Sequence, residues 1–187
     1  MNPAYIIHNR PYNEKKQFLV LFTAQDGTTS LAVSTKSTFH PFVQYDLSQT
    51  TKRSKKLNET KNPPLFLVGK RLYCGLYLNE LLYLFCKEND SYPALFTQYE
   101  KTIRLLASTL PIEPLLRQFE LALIEAAGYA LLPEYISLPY VTFSLQDGLI
   151  GHNSPVSYAI STHELTQMRY AQTSSVNGKH FIRHVLN

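Results

Sequence analysis

The chain has 187 residues, a formal net charge of +4, 44% hydrophobic and 17% charged residues. That composition excludes wholesale disorder and leaves enough apolar side chain for one sizeable core or two small ones. Nine Lys/Arg against four Asp/Glu fall in residues 1–62, and nine against ten in residues 63–187. The excess positive charge of +5 therefore sits in the first third and the rest is close to neutral at −1. A small basic module joined to a near-neutral one, with a polyanion as partner, is the arrangement that asymmetry suits.

In chain order, residues 4–8 form a short β-prone run and residues 17–23 a second. Asp26-Gly27 then separates that run from residues 29–35, which alternate with period two, a hairpin signal. Residues 39–47 alternate again, and a fifth strand is expected within 49–57. Five short strands in about sixty residues predict a small β-barrel, which closes its own edges. Residues 58–64 are polar and end in Pro63-Pro64, which disfavours both helix and central strand, so a domain boundary is placed at 62/63.

After that boundary the period becomes helical. The run Gly75-Leu-Tyr-Leu-Asn-Glu-Leu-Leu-Tyr-Leu-Phe85 is apolar on nearly every side, with Glu80, Tyr83 and Lys87 as a narrow polar stripe. A helix over about 70–86 is expected, buried at the centre of a packed domain. Cys74 and Cys86 lie on that stretch, about 18 Å apart along a continuous helix, too far for a disulfide. Further helices are expected at about 93–108 and 114–127. The last has Leu115, Leu116, Phe119, Leu123, Ile124 and Ala127 on one face, Glu113 and Arg117 at i,i+4 spacing, and Gly128 as a C-terminal cap. Residues 131–158 read as irregular and β-like, with a second Asp-Gly hairpin at Asp147-Gly148. Two helices, about 162–170 and 176–186, complete the pattern. The fold class is thus α+β: an N-terminal barrel (1–62), then a mainly helical domain (63–187) with a small β-like insertion.

Catalytic chemistry finds little support. Gly148-Leu-Ile-Gly151 lacks the third glycine and the helix of a phosphate loop, and His163-Glu164 is not followed by a second zinc-ligand histidine. His180 and His184 share a helix face without a nearby third ligand. No serine stands in a nucleophile-elbow pattern. The expectation is no enzyme, no cofactor, no metal and no membrane span, with a cytoplasmic location.

The cations are the stronger lead. Arg10, Lys15 and Lys16 cluster near the first turn, and residues 50–61 hold five cations within ten positions. Such clusters displace counterions from phosphates and bind nucleic acid with a steep salt dependence. The alternative is a solvated loop that aids solubility. Tyr12, Phe18, Phe22, Phe39, Phe42 and Tyr45 lie on the same strands, and any that face outward can stack on bases.

Five segments in order carry a family resemblance: residues 5–14, Leu21-Phe-Thr-Ala-Gln-Asp-Gly27, His40-Pro-Phe42, the Gly75–Leu82 helix and residues 116–129 with their Leu-Arg-Gln-Phe-Glu-Leu-Ala-Leu core. The chain resembles, over about residues 4–45 and 70–130, the bacterial recombination mediator family RecO. The resemblance implies an N-terminal OB-fold and a helical domain. It implies binding of single- and double-stranded DNA, annealing of complementary strands, and loading of recombinase onto strands coated by single-strand-binding protein, without covalent chemistry. RecR, RecF and the C-terminal tail of single-strand-binding protein are the partners it implies, with the nucleoid as the place of action. The residues expected to meet phosphates are Arg10, Lys15, Lys16, Lys36, Lys52, Arg53, Lys55 and Lys56. An alternative role is that of a protein-interaction scaffold, in which Leu116, Phe119 and the rim cation Arg117 take the acidic tail of single-strand-binding protein. Three departures stand out. Residues 33–39 are short and hold one cation, Lys36, where the family usually has a basic loop. The four-cysteine zinc motif of some members has no counterpart after Cys86. The family's basic C-terminal tail has none in these 187 residues.

Overall fold

A computed structural model of the chain describes residues 2–51, 54–129, 136–144, 146–170 and 176–186, the side chains of 49–51 and 54 excepted. It divides into two compact units, Met1–Thr109 and Leu110–Asn187.

The first unit holds strands β1 (Pro3–Asn13), β2 (Lys16–Thr23), β3 (Gly27–Ser34), β4 (Gln44–Thr51) and β5 (Ser54–Glu59), then helices α1 (Lys70–Phe85) and α2 (Pro93–Leu106). The strands form one antiparallel sheet in the order β3-β2-β1-β4-β5. Asp26-Gly27 lies at the β2–β3 turn, where Gly27 has φ +60°. A Cβ there would come within 2.4 Å of the Lys87 carbonyl oxygen, so the turn needs glycine. β1 runs to Asn13, well past the expected end at residue 8. Pro11 stands opposite Gln17 in a stretch where β1 has a neighbour strand on one side only, since β4 pairs with Pro3, Ala4 and Tyr5 alone, and edge positions tolerate proline. The Asn13 side chain then accepts from the Lys15 and Lys16 amides (3.0 and 2.9 Å), closing the β1–β2 turn.

Both faces of this sheet are covered near its centre. One face packs Ala4, Ile6, Leu19, Leu21, Tyr45 and Leu47 together. The other sends Tyr5 and Phe22 against Phe96 and Tyr99 of α2, with ring centroids 5.3–6.1 Å apart. Period-two alternation puts Leu19 and Leu21 on one side and Val20 and Phe22 on the other, and all four are buried. The sheet is not a closed barrel: among the described residues no backbone ladder joins β3 to β5. It is strongly curled nonetheless. Four strand spacings would separate the edges of a flat sheet by about 19 Å, yet Lys55 Nζ on β5 donates to Thr29 Oγ1 on β3 at 2.9 Å.

The boundary expected at 62/63 falls inside this unit. α1 packs on β1 and α2 on β2, because the outer face of the sheet is as apolar as its inner face and needs a helical cover. Gly75 lets α1 approach closely: a Cβ there would lie 2.7 Å from the Phe42 and Leu67 side chains. Tyr99 Oη donates to Asn79 Oδ1 (2.7 Å), joining the two helices inside the core. Tyr5 Oη and Gln44 Nε2 both donate to Glu100 Oε1, tying α2 to β1 and β4. Burial raises the Tyr5 and Tyr99 phenols, and for Tyr5 the Glu100 carboxylate adds to the effect.

The expectation of a centrally buried α1 needs correcting. Gly75, Leu78, Asn79, Leu81 and Leu82 are buried, but Tyr73, Leu76, Tyr77, Tyr83 and Leu84 are exposed, along with Glu80. Composition alone cannot show that the domain has partners for only one side of the helix.

The second unit contains α3 (Ile112–Ala126), a three-stranded antiparallel sheet of β6 (Tyr140–Ser144), β7 (Gly148–His152) and β8 (Ile160–Ser161) in the order β7-β6-β8, then α4 (Thr162–Arg169) and α5 (Val176–Leu186). Its core is built on Leu121, Ile124, Val141, Phe143, Leu165, Met168 and Phe181 among others. Ser161 caps α4 by accepting from the Glu164 amide at 3.0 Å. Gln118 donates to the Arg169 carbonyl, and Arg169 pairs with Glu125, fastening α3 to α4.

Candidate nucleic-acid interface

The far end of the β1–β2 hairpin projects beyond the packed part of the sheet. From Asn9 to Lys16 every residue is exposed. Arg10 faces Phe18 across the two strands, with its guanidinium carbon 5.4 Å from the ring centroid. Tyr12 packs edge-on against the same ring at 4.7 Å and stays 61% exposed. Lys15 and Lys16 occupy the turn. The end of β3 joins them: Ser34 pairs with Lys16, the Thr35 amide donates to the Lys15 carbonyl (3.0 Å) and the Thr35 hydroxyl to the Glu14 carbonyl (3.1 Å). That places Lys36 beside the turn. Four of the expected cations, Arg10, Lys15, Lys16 and Lys36, thus meet at one tip around two aromatic rings, with Glu14 the acidic residue of the turn.

Lys55 and Lys56 form a separate group on the β5 edge, both exposed and on opposite faces of the strand. Lys55 reaches Thr29, five residues along β3 from Ser34, so it lies about 17 Å from the tip cluster. Lys52 and Arg53 lie outside the described residues.

Of the aromatics singled out as stacking candidates, Phe22, Phe42 and Tyr45 are core, Phe39 packs against it, and Tyr12 with part of Phe18 faces out. Two further rings extend this surface and were not anticipated. His8 lies on β1 two pairs nearer the core than Arg10, opposite Val20, and stacks on Tyr83 of α1 (4.6 Å between centroids, 20° between planes). The register shift at Ile6/His8 turns His8 to the outer face. A bulge of that kind leaves no mark in a period-two pattern.

The residues expected to grip a peptide tail are placed differently from that expectation. Leu116, Phe119 and Arg117 are all buried; Arg117 is 7% exposed and its Nη1 lies 2.6 Å from Glu120 Oε2, itself fully buried. They offer no exposed rim cation. The periodicity marked Phe119 and Leu116 as one apolar face but could not reveal that Arg117 would be buried beside them with an acid one turn on.

Cys74 and Cys86 are both free, and burial, with Asp90 nearby, pushes the Cys86 thiol up to about 12. His184 stacks on Tyr158 (4.6 Å). Among the described residues no three His, Cys, Asp or Glu side chains converge as metal ligands, and no helix is long and apolar enough to cross a membrane.

Comparison with known proteins gives a consistent picture. The family model described as Recombination protein O C terminal matches residues 68–176, more than half of the chain. The DNA repair protein RecO of Tolumonas auensis is 38% identical over 141 residues, covering 69% of this chain and 59% of that protein. Those of Stutzerimonas stutzeri and Cellvibrio japonicus are 37% and 38% identical, covering 68% and 70% of this chain and 57% and 60% of theirs. The chain thus spans somewhat under two thirds of the length of these relatives. On this evidence the chain belongs to the RecO family of recombination proteins.

Proposed function

We propose that the chain binds DNA through the β1–β2 hairpin and anneals complementary strands in recombinational repair. The curled five-stranded sheet is read as an OB-type fold, a scaffold suited to single strands. The observation that carries the reading is the meeting of Arg10, Lys15, Lys16 and Lys36 around exposed Tyr12 at one tip. Cations there neutralise phosphates, and exposed rings accept bases. Lys55 and Lys56, about 17 Å away, give a second contact for the same strand or a first for its complement. Neutralising two strands on one surface lowers their mutual repulsion, which is the physical requirement for pairing. Acting on strands coated by single-strand-binding protein, beside RecR and RecF in the cytoplasm at the nucleoid, is the role the family resemblance supports.

Fluorescence anisotropy of a labelled single-stranded oligonucleotide across a salt series tests this. Binding should weaken steeply with salt, and Lys15→Ala/Lys16→Ala should flatten the log–log slope by about 0.7 per cation removed. An oligonucleotide that shows no salt-sensitive binding sinks the proposal. The burial of Arg117 weighs against Leu116, Arg117 and Phe119 as the seat of the scaffold alternative.

A further inference from the structure

The outer face of α1 is too apolar to be an ordinary solvated surface. Successive helical residues turn by about 100°, so Tyr83, Leu76, Glu80, Tyr73, Leu84 and Tyr77 form one continuous strip rather than scattered positions. Tyr73 is 73% and Leu84 65% exposed. Phe66 and Val68, just before the helix, extend the strip and are more exposed still. An exposed apolar strip of this size marks a binding surface.

Two features say what binds. Three of the ring positions are tyrosines, flat and amphipathic, with Lys70 and Lys87 exposed at the two ends of the strip and Glu80 its single acid. A partner with flat apolar faces on an anionic chain complements that pattern. The strip is also continuous with the hairpin, because Tyr83 at its margin carries the His8 ring, and His8 precedes Arg10 on the same strand. We infer that α1 is a stacking track for single-stranded nucleic acid, on which bases delivered past the hairpin tip lie on Tyr83, Tyr73 and Tyr77 while phosphates keep to the lysine ends, away from Glu80. This rests on the DNA-binding reading and adds to it a site, a strand path and a demand for exposed bases.

The test compares binding of the full chain to oligothymidine and to an abasic oligonucleotide of equal length. Wild type should prefer oligothymidine by at least about tenfold, since abasic phosphates offer nothing to stack. Tyr73→Ser/Tyr77→Ser/Tyr83→Ser should cut that preference to the part Tyr12 supports and leave the salt slope unchanged, because the substitution takes away no cation. Replacing the same three with Phe should retain the preference, and Glu80→Gln should tighten binding about twofold. All positions are exposed, and an unchanged circular dichroism melt checks folding. A wild type indifferent to bases overturns the inference, as does a Ser triple that binds oligothymidine like wild type. If that Ser triple instead loses only self-association in sedimentation, the strip is a protein-docking face and the inference is again overturned. Lys15→Ala/Lys16→Ala separates the two levels. If the lysines flatten the salt slope while the tyrosines have no effect, only the stacking track falls. If wild type binds neither oligonucleotide, the DNA-binding reading falls and takes the track with it.

Discussion

The helices α1 and α3 each carry a family-like run, yet they handle polarity in opposite ways. α3 buries an arginine and a glutamate 2.6 Å apart within its own apolar face. α1 buries only Asn79 among its strongly polar residues and turns tyrosines and leucines to water. The contrast teaches that neither burial nor exposure follows from side-chain type alone. Charge goes inside where a partner one turn on can hold it, and apolar groups stay outside where the domain has nothing to cover them.

The contrast can be broken most sharply at its buried end. Arg117→Ala removes a charged partner of a fully buried Glu120 and should lower unfolding free energy by about 3 kcal/mol, measured by urea denaturation. Arg117→Met/Glu120→Leu should recover most of that loss, because an apolar pair of similar size has no charge to desolvate. On the inner side of α1, Tyr99→Phe deletes the hydrogen bond to Asn79 and should cost about 1–2 kcal/mol by the same assay. On the outer side, Tyr73→Ala and Leu84→Ala should each change stability by no more than about 0.5 kcal/mol, as exposed substitutions do. Equal losses on the inner and outer faces of α1 would erase the distinction.

Alkali offers a gentler probe of the first unit. Burial raises the acids Tyr5, Tyr99 and Cys86, so the folded state holds their protons longer than the unfolded chain. Stability is then full below the unfolded values, 9.0 for the thiol and 10.0 for the phenols, and falls as pH rises above them. Urea midpoints should decline from about pH 9 upward. Absorbance of ionised tyrosine should show a fraction that titrates only on unfolding. The smallest effect is at the thiols. Native protein should react with a thiol reagent faster at partly exposed Cys74 than at buried Cys86, as peptide mapping would show.

Much of this fold was legible in the sequence, and the failures have physical causes. The Asp26-Gly27 hairpin and the ranges of α1, α2, α3 and α5 follow from turn chemistry and period, which are local properties. The length of β1 was hidden because a proline at position 11 reads against a strand interior, whereas β1 has a neighbour strand on one side only there. The division at 109/110 was hidden because covering the outer face of the sheet with α1 and α2 is a tertiary event with no local signal. At the candidate site, the clustering of cations near the first turn was readable, whereas which of the six aromatics faces out was not. The arrival of Lys36 beside them depends on the β2–β3 register, and the His8–Tyr83 stack on a contact seventy-five residues apart in sequence.

Photo-crosslinking of an oligothymidine carrying 5-iodouracil, followed by peptide mass spectrometry, tests the DNA-binding surface most directly. Adducts are expected at Tyr12 on the hairpin and at Tyr83 or Tyr73 on α1, lost at high salt. Adducts confined to residues 110–187, or none at low salt, would contradict it.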